Sequence, residues 1–409
     1  MRIPGPGGAW AGRGADDRLA SASMSPRTAL ALVVATAAVV VVSVSSSTAA
    51  ARRHAPTQQA MEELVERARV PGALARAEDT AGVWRGEAGV ADRVTGRIRR
   101  PGDRFRIGSI TKTFVATVLL QLEAEGRLDL DDPVSVHLPG VLHGHGHDGR
   151  RVTVRQLLNH TSGVYDFTSD ADFRTRYTGR AFRVHRLDSR TPRELVRLAM
   201  RHRPLFAPGT DWAYSNTNYL LAGMIVESVT GRAYAQQVEE RVLRPLALRR
   251  TSLPGTSPAL PRPHGRAYST LYRGRPGGGG RAAPVRDVTV LNPSMAGASG
   301  EMISTTGDLV AFYRELLGGR LLPGEQLAEM TDTVPTGEGT SGRADRYGLG
   351  IRALELSCGT TVWGHGGDIH GSLTTAAATR DGAHATAFNV NADWVPRGGE
   401  KLLEAEFCG

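Results

Sequence analysis

Residues 105–132 read FRIGSITKTFVATVLLQLEAEGRLDLDD. Phe105 to Gly108 closes like the end of a strand. A helix then begins near Ser109, runs to Glu125, and Gly126 stops it. Phe114, Val115, Val118, Leu119 and Leu122 keep the 3.6-residue spacing of a helix. Ser109 and Lys112 lie three residues apart, Ser-x-x-Lys, so the helix puts both side chains on one face. Ser109 also stands at the positive end of the helix, where backbone N–H groups are free. A serine hydroxyl beside a lysine amine is a nucleophile beside its base. Alone, the spacing fits a serine cap and a surface lysine equally well.

The basic residues sharpen this reading. Of the 50 lysines and arginines, only Lys112 and Lys401 are lysine. Arginine stays protonated near neutral pH, whereas a lysine gives up its proton when its pKa is depressed. Two further motifs follow along the chain. Tyr214-Ser215-Asn216 opens another helix and offers a proton-shuttling phenol and an amide that can hold a carbonyl or steady the lysine. His365-Gly366-Gly367 follows the strand-like segment 360–363. Its glycines let a substrate lie against a strand edge. The backbone N–H of Asp368 can pair with that of Ser109 as an oxyanion hole. Each motif by itself also suits a structural role.

Working outward, residues 52–60 read as a polar lead-in and 61–70 as a helix. Residues 81–93 read as a hairpin. Thr191-Pro192-Arg193-Glu194 is a capping box with proline at the first helical position. Residues 216–230 form a helix stopped by Gly231, residues 273–281 a flexible loop with four consecutive glycines, and residues 308–317 a helix. Residues 347–353, 360–363, 373–378 and 385–391 are strand-like, and 400–407 is a closing helix. Strands at both ends with helices between them predict an α+β fold. In it an antiparallel sheet flanked by helices is built from both termini, with a mainly helical insertion over about 127–295. No internal repeat occurs.

The 409-residue chain has 40% hydrophobic and 22% charged residues, a globular composition that excludes disordered, collagen-like and coiled-coil chains. A net charge of +9 spread over this length reads as solubility and not as nucleic-acid binding. Residues 28–44 are apolar and uncharged, Arg27 precedes them, and Ala49-Ala50-Ala51 ends the small-residue stretch that follows. That is the order of a secretory signal, with cleavage expected after Ala51 and Met24 as the more ordinary start. An uncleaved N-terminal anchor is the alternative, and no other span of membrane length occurs. Two cysteines, Cys358 and Cys408, exclude a four-cysteine zinc site and can pair in an oxidising compartment. His143, His145 and His147 alternate with glycines on a probable loop without ligand partners at an obvious spacing. No metal or cofactor is expected.

Ser-x-x-Lys, Tyr-x-Asn and His-x-Gly in this order carry more weight together than apart. The chain resembles the serine β-lactamase-related family, which holds class C β-lactamases, D-alanyl-D-alanine carboxypeptidases and related esterases. Residues 105–132, 157–164 (LLNHTSGV), 208–231 (PGTDWAYSNTNYLLAGMIVESVTG) and 298–317 support the likeness, which covers about 57–409. It is nearest the secreted actinomycete-type carboxypeptidase, through His365, LSCG at 356–359 and FCG at 407–409. The resemblance implies that Ser109 is acylated and that Lys112 is its base or proton relay. It further implies that Tyr214 relays a proton to the leaving group, and that Asn216 binds the substrate amide. His365 would maintain positive potential and hydrogen-bond the relay, Arg352 would hold a terminal carboxylate, and Cys358 would bridge to Cys408. Gly367 and Asp368 would line the substrate strand. The substrate expected is a small molecule or a peptidoglycan peptide, the protein a monomer that binds penicillin, with no nucleic-acid partner. A lactamase, an esterase and a non-catalytic penicillin sensor are the alternatives. Gly366, Asp368 and Met295 depart from the carboxypeptidase pattern, and the Asp368 charge disfavours an anionic substrate.

Overall fold

A hairpin from near the N-terminus joins six strands from the C-terminal part of the chain in one antiparallel sheet. The computed structural model describes residues 52–272, 284–338, 344–395 and 398–409. The expected export signal and the glycine loop at 273–281 lie outside the described residues. The strands are β1 (Gly72–Asp79), β2 (Gly82–Gly89), β3 (Val334–Glu338), β4 (Ala344–Tyr347), β5 (Arg352–Glu355), β6 (Thr361–Ile369), β7 (Ser372–Ala378) and β8 (Ala385–Val390). Their order is β2-β1-β8-β7-β6-β5-β4-β3, so the N-terminal strand β1 pairs with the last strand β8, Ala73 opposite Val390.

Side chains alternate between the two faces. Leu74, Ala376, Ala378, Ala385 and Ala387 join one core, and their neighbours Ala73, Ala75, Ala377, Phe388 and Val390 join another. The second core is closed by helix α1 (Ala55–Glu66) through Met61 and Leu64 and by the C-terminal helix through Leu402 and Leu403. The helices that meet the first core include α2 (Thr111–Ala124), α3 (Val154–Leu158), α4 (Pro192–Ala199), α5 (Asn216–Thr230) and α6 (Thr306–Leu317). The C-terminal helix, α7, spans Gly398–Cys408. Alanine-rich faces on β7 and β8 let α6 lie close to the sheet.

The fold class is as the sequence implies, and several boundaries differ. The polar stretch before residue 61 is the first half of α1, with Pro56 near its start, and the helix ends at Glu66. The hairpin begins earlier, at Gly72, because the alanine-rich strand β1 carries little strand propensity. The segment 347–353 is two strands joined by a reversal at Gly348–Gly350, where the Gly350 N–H bonds the Gly348 carbonyl. Strand β6 extends through His365, Gly366, Gly367 and Asp368, which therefore lie within the strand and not after it. The capping box at Thr191 forms, with the Glu194 N–H donating to Thr191 Oγ1 at 3.2 Å. Helix α5 has the expected limits, and Gly231 caps it in the left-handed conformation. Cys358 and Cys408 are joined in a disulfide, with Cα atoms 5.6 Å apart. Among the described residues no helix is long and apolar enough to cross a membrane.

Candidate active site

Helix α2 runs through the middle of the molecule, with Thr111 through Leu120 and Leu122 buried. A single 3₁₀ turn, Gly108–Ile110, leads into it and carries Ser109, which is half-buried. Gly108 takes φ +49°, and a Cβ there would stand 2.9 Å from the backbone nitrogen of Asp368. A Cβ on Gly367 would collide with the Ile107 carbonyl. Two missing side chains thus press strand β6 onto the start of the helix. The backbone nitrogens of Ser109 and Asp368 flank that contact. Strand β5 pairs with β6 only as far as Arg352 opposite Gly364, so the β6 edge beyond it borders the cleft without a strand partner.

Lys112 is fully buried. Its Nζ lies 3.0 Å from Ser109 Oγ, 2.8 Å from Asn216 Oδ1 and 2.7 Å from the Ser299 carbonyl. Burial depresses its pKa to about 7, with Asp166 opposing part of the shift. A neutral amine has two N–H donors and one lone pair. Asn216 Oδ1 and the Ser299 carbonyl take the two donors, and the lone pair is left for the Ser109 hydroxyl proton. Asn216 is itself fixed by Asp166. Its Nδ2 donates to Asp166 Oδ2 at 3.1 Å, and its N–H to Asp166 Oδ1 at 3.2 Å.

The ring of Tyr214 lies 4.8 Å from Lys112 Nζ. Among the described residues its hydroxyl makes no hydrogen bond of normal geometry, and burial raises its pKa, an effect that the neighbouring Ser109 hydroxyl offsets in part. The phenol is therefore protonated and free to donate. His160 is wholly buried behind it, packed on Tyr214, Tyr219 and Tyr347 at ring-centroid distances of 4.3, 5.5 and 4.8 Å. The Ser215 N–H and Asn218 Nδ2 both approach His160 Nδ1, at 3.2 and 3.1 Å. His160 shapes the site from behind and does not line the cleft.

His365 and Arg352 each have a protein partner in the structure. His365 is buried, and burial with Lys112 and Arg352 nearby pushes its pKa down to about 3. It is a neutral imidazole and supplies no positive potential. Its Nε2 accepts from the Tyr347 hydroxyl at 2.8 Å, so it steadies Tyr347 and leaves Tyr214 unbonded. Arg352 reaches the cleft, but its guanidinium is tied to the Asp345 carboxylate through Nε at 3.2 Å and through Nη2. A carboxylate-holding arginine needs its fork free, and this one is already matched. Asp368 also lines the cleft. Its carboxylate makes no ion pair or hydrogen bond among the described residues, and burial, with Asp393 nearby, raises its pKa to about 7.

The cleft holds about 350 Å³ between Ser109, Tyr214 and Trp212 on one side and Asp368, Thr375 and Arg352 on the other. Met295 is buried in the core and does not line it. Sequence reasoning brought out Ser109, Lys112, Tyr214, Asn216, His365, Arg352, Gly367 and Asp368, and the structure gathers all eight around one cleft. It missed Asp166, Trp212, Asp345, Tyr347 and Ser299. Trp212 and Tyr347 had a local signal, as aromatics beside a motif or a glycine turn. The others act through contacts distant in sequence.

Known proteins fit this geometry. A family profile described as Beta-lactamase matches residues 57–405. The structure of a D-stereospecific amidohydrolase from Streptomyces sp. superposes with a TM-score of 0.80 at 55% identity, over 87% of this chain and 99% of that one. Penicillin-binding protein 4 of Amycolatopsis lactamdurans is 29% identical over 339 residues, 82% of this chain and 81% of its own. Esterase EstB of Burkholderia gladioli is 32% identical over 341 residues, 77% of this chain and 84% of its own. Protein flp of Staphylococcus aureus matches over 157 residues at 32% identity, and there the chain spans 29% of the relative's length.

Proposed function

As the chain belongs to the beta-lactamase family of serine hydrolases, we propose that it is an exported amidohydrolase whose acyl donor is an amide of an amino acid with a free α-ammonium group, of D configuration. The observation that carries the chemistry is the buried Lys112 amine 3.0 Å from Ser109 Oγ with its other two partners already engaged. Neutral Lys112 takes the Ser109 proton as Oγ bonds to the substrate carbonyl carbon. The N–H groups of Ser109 and Asp368 receive the oxyanion. As the tetrahedral centre collapses, the C–N bond breaks and the leaving amine takes a proton from Tyr214, which recovers one from Lys112. Water then attacks the Ser109 ester by the same route in reverse and releases the acid.

The charges around the cleft support the substrate class. A D-alanyl-D-alanine carboxypeptidase must hold a terminal carboxylate. Here Arg352 is paired with Asp345, and Asp368, whose pKa burial raises to about 7, takes up its full negative charge when a cation sits beside it. That arrangement favours a cationic acyl donor with an uncharged leaving group over an anionic peptide. The 55% identity to a D-stereospecific amidohydrolase supports amide hydrolysis and the D configuration. Export rests on the signal-like sequence at 28–51 and accords with the Cys358–Cys408 bridge.

The test compares kcat/KM for D-phenylalaninamide, its L enantiomer and the N-acetylated D-amide, in wild type and Asp368→Asn. The free D-amide is expected to be preferred. The variant should lose about 10- to 100-fold on it, the worth of one charge-assisted bond, and little on the N-acetyl compound. Equal loss on both would remove the ammonium role and leave the serine chemistry standing. Faster cleavage of D-alanyl-D-alanine peptides than of amides would restore the carboxypeptidase reading.

A further inference from the structure

The largest of the cavities described, about 530 Å³, is not the catalytic cleft. It is walled by the histidine–glycine hairpin, the turn after it and the segment following α4, and it shares no lining residue with the cleft. Arg151 and Arg203 line it from segments far apart in sequence. Both are exposed, and neither makes an ion pair or a side-chain hydrogen bond among the described residues. The one carboxylate in the wall, Asp148, is taken up by Arg150 through Nε at 3.0 Å and Nη2 at 2.9 Å. Arg150 and Arg151 therefore share that one carboxylate, Arg203 has none beside it among the described residues, and the wall carries an excess of positive charge. His145 and His147 complete the polar wall. His145 Nδ1 bonds the Met200 carbonyl at 2.8 Å, while His147, 7% exposed, meets the His202 backbone and among the described residues leaves Nε2 without a hydrogen-bond partner of normal geometry. Phe206 and Pro204 supply an apolar side.

Guanidinium forks bind carboxylate and phosphate oxygens in pairs, and an unpartnered buried imidazole nitrogen is stabilised by a hydrogen bond. We infer that this cavity is a second, non-catalytic binding site for a small polyanion bearing carboxylate or phosphate groups, held between Arg151 and Arg203. The histidine cluster thus serves anion binding and not metal ligation. The site is independent of the amide-hydrolase reading, since no residue of the cleft takes part.

Isothermal titration of the full chain with citrate, and separately with inorganic phosphate, tests it. Saturable binding of at least one probe is expected. It should weaken at least tenfold in Arg151→Ala/Arg203→Ala, the loss of at least one charge-assisted bond. It should persist in Arg183→Ala, an exposed arginine elsewhere. Unchanged hydrolytic activity of the double variant would show that it is folded, and binding that persists in Arg352→Ala, which takes the guanidinium out of the cleft, would exclude the cleft. No saturable binding of either probe, or equal binding by the double variant, would overturn the inference.

Discussion

Lys112 decides whether the cleft can do chemistry. A lysine in water is protonated at neutral pH and cannot accept a proton from serine. Burial lowers this one to about 7, so a large fraction is neutral under ordinary conditions. The sign follows directly: below that pH the amine is charged and inactive as a base, above it the amine is neutral. The acylation limb of kcat/KM should therefore rise with pH through about 7 and then level off. Stopped-flow acylation across pH 5.5–9 checks this, and a flat profile would remove Lys112 as the base. Lys112→Arg should lose about 10²- to 10⁴-fold, the range for a missing general base, because guanidinium keeps its proton. At this scale the sequence is informative wherever chemistry needs a rare residue at a fixed spacing. Ser109, Lys112, Tyr214 and Asn216 stand out for that reason. Asp166, which fixes Asn216 from 50 residues away, and Asp345, which neutralises Arg352, leave no local trace. Arg352 is tied to that partner, which its own neighbourhood in the sequence does not reveal.

Helix α2 and strand β6 define the geometry between them. The spacing of five apolar residues suggested a helix with one buried face, yet α2 is enclosed on all sides. Its threonines satisfy the interior: Thr113 Oγ1 donates to the Gly350 carbonyl at 2.7 Å and Thr117 Oγ1 to the Thr113 carbonyl at 2.8 Å. Small polar side chains that bond internally make a buried helix look half-polar in sequence. Strand β6 was cut short for a related reason, since three glycines in Trp363-Gly364-His365-Gly366-Gly367 read as a turn. Within the sheet those glycines allow close approach, as the Gly367 contact with Ile107 requires. Gly367→Ala should push the strand off the helix start. An error of about 1 Å in such a constellation costs about 10²-fold, so kcat should fall by that order while the protein stays folded by circular dichroism. A variant with unchanged kcat would mean that the strand does not position the oxyanion donors.

At the scale of the whole molecule, the two ends of the chain build one sheet, and the Cys358–Cys408 bridge ties α7 to the turn after β5. The sequence separation of 50 residues predicts a contribution of about 2–4 kcal/mol. Cys358→Ala/Cys408→Ala should lower the free energy of unfolding by that amount in denaturant titration, with hydrolysis at room temperature retained. No change would mean that α7 is held without the bridge, by Leu402 and Leu403 in the core and by the Thr57 hydroxyl donating to Glu406 at 2.7 Å. The termini-built sheet was legible in the sequence because strand-like segments cluster at the two ends. The hairpin limits were not, because alanine and glycine strands gain their place from the strands beside them. The account stands or falls on covalent chemistry at Ser109. Intact-mass analysis after acid quench of the full chain with D-phenylalanine p-nitrophenyl ester, followed by peptide mapping, tests that directly. The account predicts a single D-phenylalanyl adduct on Ser109 and none in Ser109→Ala, which should also lose turnover. An adduct on another residue, or turnover that survives Ser109→Ala, would contradict it.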